Sequence, residues 1–388
     1  MNVVEAVLRA LAISFAMTWE ILWALILGFT LSAIVQAVVS KAQMSRLLPD
    51  DSPRTLALAT LLGAASSSCS YAAVALARSL FQTGASFTAA MTFEIASTNL
   101  VIELGIILVI LMGWQFAAAE FVGGAIMIAL LALIFRHFLT QQRVAEGRAQ
   151  AEKGLRGYME GHAEMDMSVS EGTLWQKIFS AKGFTAISHV FVMDWASVIR
   201  DIALGLLIAG ALAAWVPASF WKTFFLSDHP QLALIWGPLV GPIVSVVSFV
   251  CSIGNVPLAA VLWNNGISFG GVISFIFADL IILPILSIKR RYYGTRMTIF
   301  LFGAFYAAMA LAGLIVELLF GALGLIPQER NALVAEPSLS LNYTTVLNAL
   351  FLALAAVLLA RAWRTGGFAM LAMMDPKADE TPSATHHH

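Results

Sequence analysis

The segment Cys251-Ser252-Ile253-Gly254-Asn255-Val256-Pro257 interrupts an apolar run and determines the architecture that this sequence predicts. Glycine and proline disfavour a continuous helix, so the run is predicted to break here instead of crossing a membrane as one helix. The apolar sequence then resumes and carries Asp279. Ionisable groups are rare inside membrane segments because burying their charge is costly, and those that occur usually serve function.

The composition is that of an integral membrane protein. Of the 388 residues, 60% are apolar and 12% are charged, and the mean hydropathy is +0.84. Soluble domains have about 45–50% apolar and about 25% charged residues. Several apolar runs reach the roughly 20 residues that a spanning helix needs. The net charge of −1 gives no reason to expect nucleic acid as a partner.

The break at Cys251 has a second copy earlier in the chain. At an offset of 182, residues 66–96 match residues 248–278 at 12 of 31 positions without a gap. Shared apolar composition does not readily produce a Cys-Ser pair and a Gly-x-Ser-Phe motif in one frame. Duplicated structural repeats are the common plan of secondary transporters. The identical positions are Ser66, Cys69, Ser70, Val74, Leu76, Ala77, Leu80, Gly84, Ser86, Phe87, Phe93 and Ala96.

Two topologies fit this repeat. If 55–83 and 231–264 each cross the membrane, each repeat has four crossings and the repeats are parallel. If both segments are re-entrant hairpins, each repeat has three crossings and the repeats are inverted. The second arrangement places Lys289–Arg291 and the basic residues of 136–182 on one face, as the positive-inside rule requires. We therefore predict an all-α membrane protein with two inverted repeats, each of three spanning helices and a broken, re-entrant hairpin, plus one C-terminal helix.

The chain is predicted to divide into five parts, with the N-terminus outside and the C-terminus inside. Continuous helices are expected over 86–111 and 267–288. The closing His386-His387-His388 is interpreted as a remnant of a purification tag. The parts are repeat 1 (1–140), a cytoplasmic polar loop (141–182), repeat 2 (183–322), a loop with the C-terminal transmembrane helix (323–363) and a polar tail (364–388).

The duplicated cysteines are the first candidates for chemistry. In an inverted repeat, equivalent hairpin tips can approach each other, and two thiols there would suit a soft, two-coordinate guest such as Cu(I), Hg(II) or a monomethylated trivalent arsenical. The alternative is that each cysteine is a small buried packing residue. The neighbouring serines either cap broken half-helices or allow close helix packing. The candidate substrate-binding residues are Cys69, Cys251, Ser68, Ser70, Ser252 and Asn255.

Carboxylates in the apolar runs are candidates for coupling transport to a proton or another cation. Asp279 and Glu94 are the main ones, and Asn99 lies on the helix that corresponds to that of Asp279. The alternative is a structural ion pair or a protonated acid that forms hydrogen bonds.

The polar loop carries four soft or borderline donors, Met159, His162, Met165 and Met167, which are potential ligands for Cu(I). A short polar loop also acquires such residues by chance. The chain has no Walker, HExxH, G-x-S-x-G or Rossmann motif. We therefore predict no enzymatic activity and no resident cofactor.

The quoted motifs resemble those of the predicted permeases that include the organoarsenical-efflux (ArsP-type) permeases. The resemblance rests on Ser68-Cys69-Ser70, Cys251 to Ala259, Gly266 to Gly271 and Phe277 to Leu280. It implies a multi-pass permease of the bacterial inner membrane with duplicated cysteine-bearing motifs, in a family whose characterised members are associated with export of trivalent methylated or aromatic arsenicals. The chain departs from the Cys-Ser-Cys-Gly form found in parts of that family, because each of its motifs retains one thiol.

These observations predict a secondary-active permease whose partners are the lipid bilayer, a small thiophilic substrate and a coupling proton or cation. Efflux of a thiophilic metal, metalloid or organoarsenical is the expected activity. The alternative is a permease or channel for an unrelated small solute, with purely structural cysteines. A homodimer is compatible with the sequence.

Overall fold

The computed structural model describes residues 3–38, 46–68, 70–151, 174–226, 228–248, 252–333 and 343–369. Every regular element in these ranges is helical, which confirms the all-α class. Cys69, Cys251 and the loop residues Met159, His162, Met165 and Met167 lie outside the described residues. For Ser252 the backbone is described and the side chain is not.

The helices follow one another in an order that repeats. The first half contains α1 (Val3–Val38), α2 (Pro53–Ser66), α3 (Ser70–Gln82), α4 (Phe87–Asn99), α5 (Ile102–Met112), α6 (Trp114–Phe138) and α7 (Gln141–Ala151). The second contains α8 (Leu174–Phe179), α9 (Ala181–Trp215), α10 (Ala218–Phe224), α11 (Pro230–Ser248), α12 (Ser252–Asn264), α13 (Phe269–Phe277), a 3-10 turn (Ala278–Ile281), α14 (Leu283–Tyr293), α15 (Thr295–Ala322) and α16 (Tyr343–Arg364).

The 182-residue offset of the sequence recurs in the helix boundaries. Helices α3 and α12 both begin and end at positions related by this offset, and so do the first residues of α4 and α13. Ser86 and Ser268 cap α4 and α13 in the same way, each accepting a hydrogen bond from the backbone N–H three residues later, at 3.1 Å. The duplication therefore extends from residue identity to local structure.

Five helical segments of the described chain are long and apolar enough to cross a membrane, and two bent pairs would raise the number to seven. One of the five extends from Phe87 to Met112. It consists of α4 and α5, which keep the same direction across a short interruption at Leu100 and Val101. The chain is a multi-pass membrane protein.

The second predicted helix, 267–288, is bent by 43° between the 3-10 turn and α14. Pro284 in the first turn of α14 has no N–H to donate and cannot continue the preceding helix, which accounts for the bend. The helix also extends to Tyr293, beyond the predicted end. The predicted polar loop contains α7, α8 and the first residues of α9.

Helices α2 and α4 lie side by side and run in the same direction. Just before α2, the Leu48 carbonyl accepts from the N–H of Ser86 at 2.9 Å, and just after α2, the N–H of Ser68 donates to the Ser97 carbonyl at 2.8 Å. A Cβ at Gly63 would lie 2.5 Å from the Phe93 carbonyl oxygen, so this approach requires glycine. Helix α3 therefore returns from the far end of α2 to the level at which α2 began.

The corresponding helices of the second half, α11 and α13, pack in the same way. A Cβ on Gly237 would meet the Ser268 side chain at 2.1 Å, and a Cβ on Gly241 would meet the Gly271 carbonyl at 2.4 Å. Because both contacts advance together along the two helices, α11 and α13 also run in the same direction. Helix α12 then returns to the level of Ser268.

The first helices of the two halves, α1 and α9, pack extensively against each other and run antiparallel. Ser14 near the start of α1 donates to the Leu206 carbonyl near the end of α9 at 2.9 Å. The Ser32 hydroxyl near the end of α1 lies 3.1 Å from Asp194 Oδ2 in the first half of α9.

An arginine closes the turn between α3 and α4. The guanidinium of Arg148 donates to the carbonyls of Phe81 and Ala85 at 2.7 and 3.4 Å. It also lies 4.1 Å from the centre of the Phe81 ring. The last carbonyls of a helix lack intrahelical partners and carry partial negative charge, so a cation here both donates hydrogen bonds and opposes the helix dipole.

An arginine 182 residues later performs the same task between α12 and α13. Arg330 donates to the carbonyls of Trp263 and Ile267, both at 2.7 Å, and lies 4.2 Å from the centre of the Trp263 ring. Arg330, Trp263 and Ile267 are the offset partners of Arg148, Phe81 and Ala85. We call these two sets of contacts the Arg148 clamp and the Arg330 clamp. The two long-range contacts thus reproduce the repeat outside the segment in which sequence identity is visible.

The Arg330 clamp should contribute measurably to stability. We expect Arg330→Ala to lower the free energy of unfolding by about 2–3 kcal/mol, because two charge-assisted hydrogen bonds to carbonyls are lost. Thermal unfolding of the detergent-solubilised protein measures this. Arg364→Ala is the matched control, since Arg364 is exposed at the end of α16. Equal melting temperatures for the two variants would contradict the prediction.

Candidate functional site

The break between α2 and α3 lies level with the middle of a membrane-crossing segment. Ser67 has a left-handed backbone with φ 41°, which ends α2. The N–H of Ser68 bonds to Ser97, and Ser97 lies near the centre of the 26-residue segment Phe87–Met112. The hydroxyl groups of Ser66 and Ser68 are 3.0 Å apart. We call residues 66–70 the first tip; it includes the position of Cys69.

The first tip is joined to the second repeat by a short hydrogen bond. The Ser70 hydroxyl donates to Asp279 Oδ2 at 2.6 Å, and both side chains are fully buried. Asp279 lies on the 3-10 turn, against which both α3 and α12 pack. Asp279 is also the offset partner of Ser97, the residue that holds the Ser68 N–H. Two predicted substrate-binding residues and the predicted coupling carboxylate are therefore adjacent.

A second acidic group holds the other end of the first tip. The Ser32 hydroxyl lies 2.9 Å from the Ser66 carbonyl and 3.1 Å from Asp194 Oδ2. Gln36 also donates to Asp194 Oδ2, at 3.4 Å. Asp194 is 6% exposed, so its carboxylate lies inside the protein, beside the tip.

Two buried glutamates accompany these aspartates. Glu103 on α5 packs against Gly28 of α1. Glu120 on α6 is fully buried, and neither of its oxygens accepts a hydrogen bond from the described residues. Asp279 and Asp194 place two acidic side chains beside the first tip, which favours cations or neutral molecules over anions.

Glu94, predicted as a coupling carboxylate, forms an ion pair with Lys289. Their Oε1 and Nζ atoms are 2.8 Å apart, and neither side chain is exposed. The Lys289 ammonium also lies 4.0 Å from the centre of the Phe305 ring. The ion pair that the sequence offered as an alternative is present, and the coupling role of Glu94 stays a prediction. Lys289 was predicted to belong to a cytoplasmic cluster, whereas the structure buries it and leaves Arg290 at the surface.

The two predicted asparagines are both fully buried, but they lie in different surroundings. Asn99 donates to the Thr98 hydroxyl at 3.0 Å, and Asn255 donates to the Ser245 hydroxyl at 3.2 Å. The Oδ1 atom of each accepts no hydrogen bond from the part of the chain that the structure describes. Asn255 lies one turn into α12, close in sequence to Cys251.

The sequence did not single out Glu120 or Lys289. Glu120 lies in a regular apolar helix without a break, and its offset partner is Phe302, so no repeat marks it. Lys289 precedes two arginines and resembles the basic end of a membrane helix. Only the packing of α6 and α14 against the other repeat reveals that both charges are internal.

Among the described residues, no three His, Cys, Asp or Glu side chains are grouped so as to hold a metal ion. This statement does not extend to the cysteines or to the Met and His residues of the polar loop, which lie outside those ranges.

Comparison with known proteins identifies relatives along most of the chain. Residues 6–318 match the model of the ArsP_1 family, described as "Predicted permease". The Mycobacterium tuberculosis protein named "Putative permease Rv2963" is 63% identical over 352 residues, which cover 90% of this chain and 86% of that protein. No solved structure matches the chain significantly.

The Glu94–Lys289 pair can be tested by a double-mutant cycle. We expect Lys289→Met to lower the free energy of unfolding by about 3–5 kcal/mol, because it leaves a buried carboxylate without its cation. Adding Glu94→Gln should recover most of this loss, since the uncompensated charge is then removed. Thermal or denaturant unfolding measures both. Additive effects of the two substitutions would contradict the pairing.

Proposed function

The chain belongs to the predicted permease family ArsP_1, and from this premise we propose that it is a secondary-active permease that exports a thiophilic metal, metalloid or organoarsenical species. Membership of a permease family implies transport rather than enzymatic catalysis. The observation that carries the proposal is the bond from Ser70 to Asp279, which connects a residue next to Cys69 with an acidic group of the other repeat.

The proposed scaffold is a pair of inverted repeats. Helices α1 and α9 occupy equivalent places at the 182-residue offset, and they run antiparallel. An antiparallel relation between equivalent helices is expected when the repeats are related by an axis in the membrane plane.

The contacts at the two ends of the spanning segments support the same arrangement. Near the clamp of Arg148, Gln150 donates to the Arg291 carbonyl at the end of α14, at 3.2 Å. Near the clamp of Arg330, the N–H of Leu333 donates to the Leu111 carbonyl at the end of α5, at 2.7 Å. The segment through α4 and α5 therefore starts at the first clamp and ends at the second, while the segment through α13 and α14 runs the opposite way.

Each pair α2–α3 and α11–α12 is proposed to be a re-entrant hairpin. Helix α3 packs on α14 and α12 packs on α5, so each hairpin occupies one half of the membrane depth. Interrupted backbone at this depth is tolerated only when it is buried in protein or lines a cavity. Both tips would then meet near the middle of the membrane, where a substrate could be reached from either side in turn.

The two cysteines would provide the contacts to the substrate. Cys69 follows Ser68, whose backbone bonds to Ser97, and Cys251 occupies the equivalent place before Ser252. Two thiolates suit a soft guest that accepts two sulfur ligands. The acidic groups beside the first tip favour a cationic or neutral species, and Ser68, Ser70 and Asn255 would offer weaker oxygen contacts.

Asp279 is proposed to couple substrate movement to a proton or cation gradient. Its carboxylate bonds to Ser70, so protonation would weaken a contact that holds the first tip in place. Glu94, through its pair with Lys289, would stabilise the packing of α4 against α14, and Asn99 would support the interrupted segment between α4 and α5.

In a bacterial inner membrane the N-terminus would lie outside and the C-terminus inside. Arg148 and Arg291 lie at the same end of the spanning segments. Arg361 near the end of α16 donates to the Ala181 carbonyl and the Thr185 hydroxyl at the start of α9. Positive charge at this end is expected on the cytoplasmic side.

The inverted arrangement predicts opposite labelling of two loops. In a Cys69→Ser/Cys251→Ser background, Glu146→Cys on α7 should react with an impermeant maleimide only after the cytoplasmic face is opened. Glu329→Cys should react in intact cells, because Arg330 closes the hairpin of the other face. Labelling of both positions from the same side would rule out the arrangement.

The substrate assignment predicts loss of efflux in two kinds of variant. Expression in a sensitive bacterial strain should raise resistance to one or more of trivalent organoarsenicals, Cu(I) and Hg(II). Cys69→Ser/Cys251→Ser should abolish that resistance by removing the thiolates. Asp279→Asn should reduce gradient-driven export from membrane vesicles by at least about tenfold, the effect of about 1.4 kcal/mol. Exposed Asp51→Asn is the control and should transport normally.

If the double cysteine variant keeps full resistance to every such compound, the cysteines are structural and an unrelated solute is the substrate. If Asp279→Asn retains gradient-driven export, the coupling role belongs to another group.

A further inference from the structure

The C-terminal helix α16 inserts a side chain into the backbone hydrogen bonds of α1. Asn348 is fully buried, and its amide nitrogen donates to the Trp19 carbonyl at 2.7 Å. Its amide oxygen accepts from the backbone N–H of Trp23 at 2.9 Å. In a regular α-helix these two backbone groups, four residues apart, bond to each other. The Asn348 amide therefore takes the place of one hydrogen bond of α1.

The insertion coincides with a bend in α1. The segments Val4–Trp19 and Ile21–Ile34 are inclined to each other by 45°. The five residues from Trp19 to Trp23 include neither proline nor glycine. Sharp bends almost always occur at proline, at Gly/Ser pairs, at π-bulges or where a side chain or water enters the backbone hydrogen bonds. The Asn348 amide is the last of these causes.

The other bent segment of the protein has a different cause. The 43° bend before α14 is followed by Pro284, which lacks an N–H in every conformation of the chain. The bend in α1 depends instead on a side chain of another helix. The Trp23 N–H and the Trp19 carbonyl could bond directly once that side chain leaves. The first of these bends is fixed by the sequence of its own helix, and the second is not.

The bend separates two groups of contacts that α1 makes. Before it, Ser14 donates to the Leu206 carbonyl of α9 at 2.9 Å. After it, the Ser32 hydroxyl lies 2.9 Å from the Ser66 carbonyl of the first tip and 3.1 Å from Asp194 Oδ2. A change in the bend would therefore move the part of α1 that supports the first tip relative to the part that holds the end of α9.

Helix α16 contacts both helices of this arrangement. Near its end, Arg361 donates to the Thr185 hydroxyl at the start of α9, at 2.9 Å. Near its beginning, the Phe351 ring packs against the Trp23 ring of α1, with the ring centres 6.0 Å apart. Helix α16 thus connects the start of α9 to the bend of α1, and Asn348 makes the polar part of that connection.

We propose that Asn348 is the positioning residue of a reversible hinge in α1, and that its release lets the Trp23 N–H bond to the Trp19 carbonyl and straightens the helix. The bent state satisfies the buried amide, which is costly to leave without hydrogen-bond partners in apolar surroundings. The straight state restores the hydrogen bonding of α1 alone and displaces Ser32 from the first tip. Only the link from this hinge to transport rests on the proposed function; the hinge itself does not.

Electron paramagnetic resonance distances in lipid nanodiscs test the hinge without measuring transport. Spin labels at Leu8→Cys and Leu31→Cys mark the two halves of α1, in a Cys69→Ser/Cys251→Ser background that leaves no other thiol to label. We expect Asn348→Leu, which has a similar size and no hydrogen-bonding group, to lengthen the label separation. The increase should be about 3 Å, the difference between a helix bent by 45° and a straight one of the same length.

Two further variants separate hydrogen bonding from packing. Asn348→Asp should keep the shorter separation in acidic buffer, because a neutral carboxylic acid offers one donor and one acceptor, as the bonded amide does. Asn348→Ala should lengthen the separation and replaces Asn348→Leu if the larger apolar side chain prevents folding. Ala349→Leu is the control, because Ala349 is exposed on α16 and its substitution should leave the separation unchanged.

An unchanged separation in the apolar variants of Asn348 would overturn the hinge. The bend would then be assigned to packing against α9 or to the Thr18 hydroxyl, which bonds to the Ser14 carbonyl one turn earlier. A longer separation in Asn348→Asp in acidic buffer would overturn it as well. Neither result would alter the outcome of the cysteine and export experiments, so failure of the hinge is distinct from failure of the proposed function.

Discussion

A helix that ends in the middle of a membrane leaves backbone N–H and C=O groups without water to bind. Other helices of this protein supply hydrogen-bond partners for those groups. The N–H of Ser68 is taken by the Ser97 carbonyl, and the Ser66 carbonyl accepts from Ser32. Ser70 completes the first tip through Asp279. The break is therefore supported by three different helices and belongs to neither repeat alone. A substrate that binds at the tip has to compete with these contacts, which is how binding could be converted into movement.

Close packing and charge hold the outer parts of the broken segments. Gly63, Gly237 and Gly241 let α2 and α11 approach the backbone of their neighbours, where any side chain would collide. Arg148 and Arg330 fix the outer turns through carbonyls and aromatic faces. Each helix pair, α2–α3 and α11–α12, is thus anchored at its outer turn, and the first tip is held by polar contacts. Fixed outer turns and an exchangeable polar first tip are consistent with motion at that tip.

The sequence predicted the all-α class, the repeat and the interruption at the first tip. It was wrong to expect Gly254 and Pro257 to break the helix, because both lie inside α12. The correct predictions rest on local signals, namely serines within an apolar run and residue identity at a fixed offset. It missed the bend before Pro284 within a predicted continuous helix, the burial of Lys289 and the environment of Glu120. Those depend on which helix faces which, and a single sequence carries no signal for contacts between distant segments. The arginine clamps illustrate the limit, since their equivalence becomes visible only when the two arginines are seen to bind carbonyls at offset-related positions.

Glu94 and Glu120 are both fully buried, but their surroundings differ. Glu94 and Lys289 neutralise each other at 2.8 Å, so protonating Glu94 would leave a buried cation. Glu120 is fully buried, and neither of its oxygens accepts a hydrogen bond from the described residues, so a neutral carboxylic acid is the less costly state there. The two glutamates differ because the opposite repeat supplies a cation to Glu94, whereas the described residues supply none to Glu120.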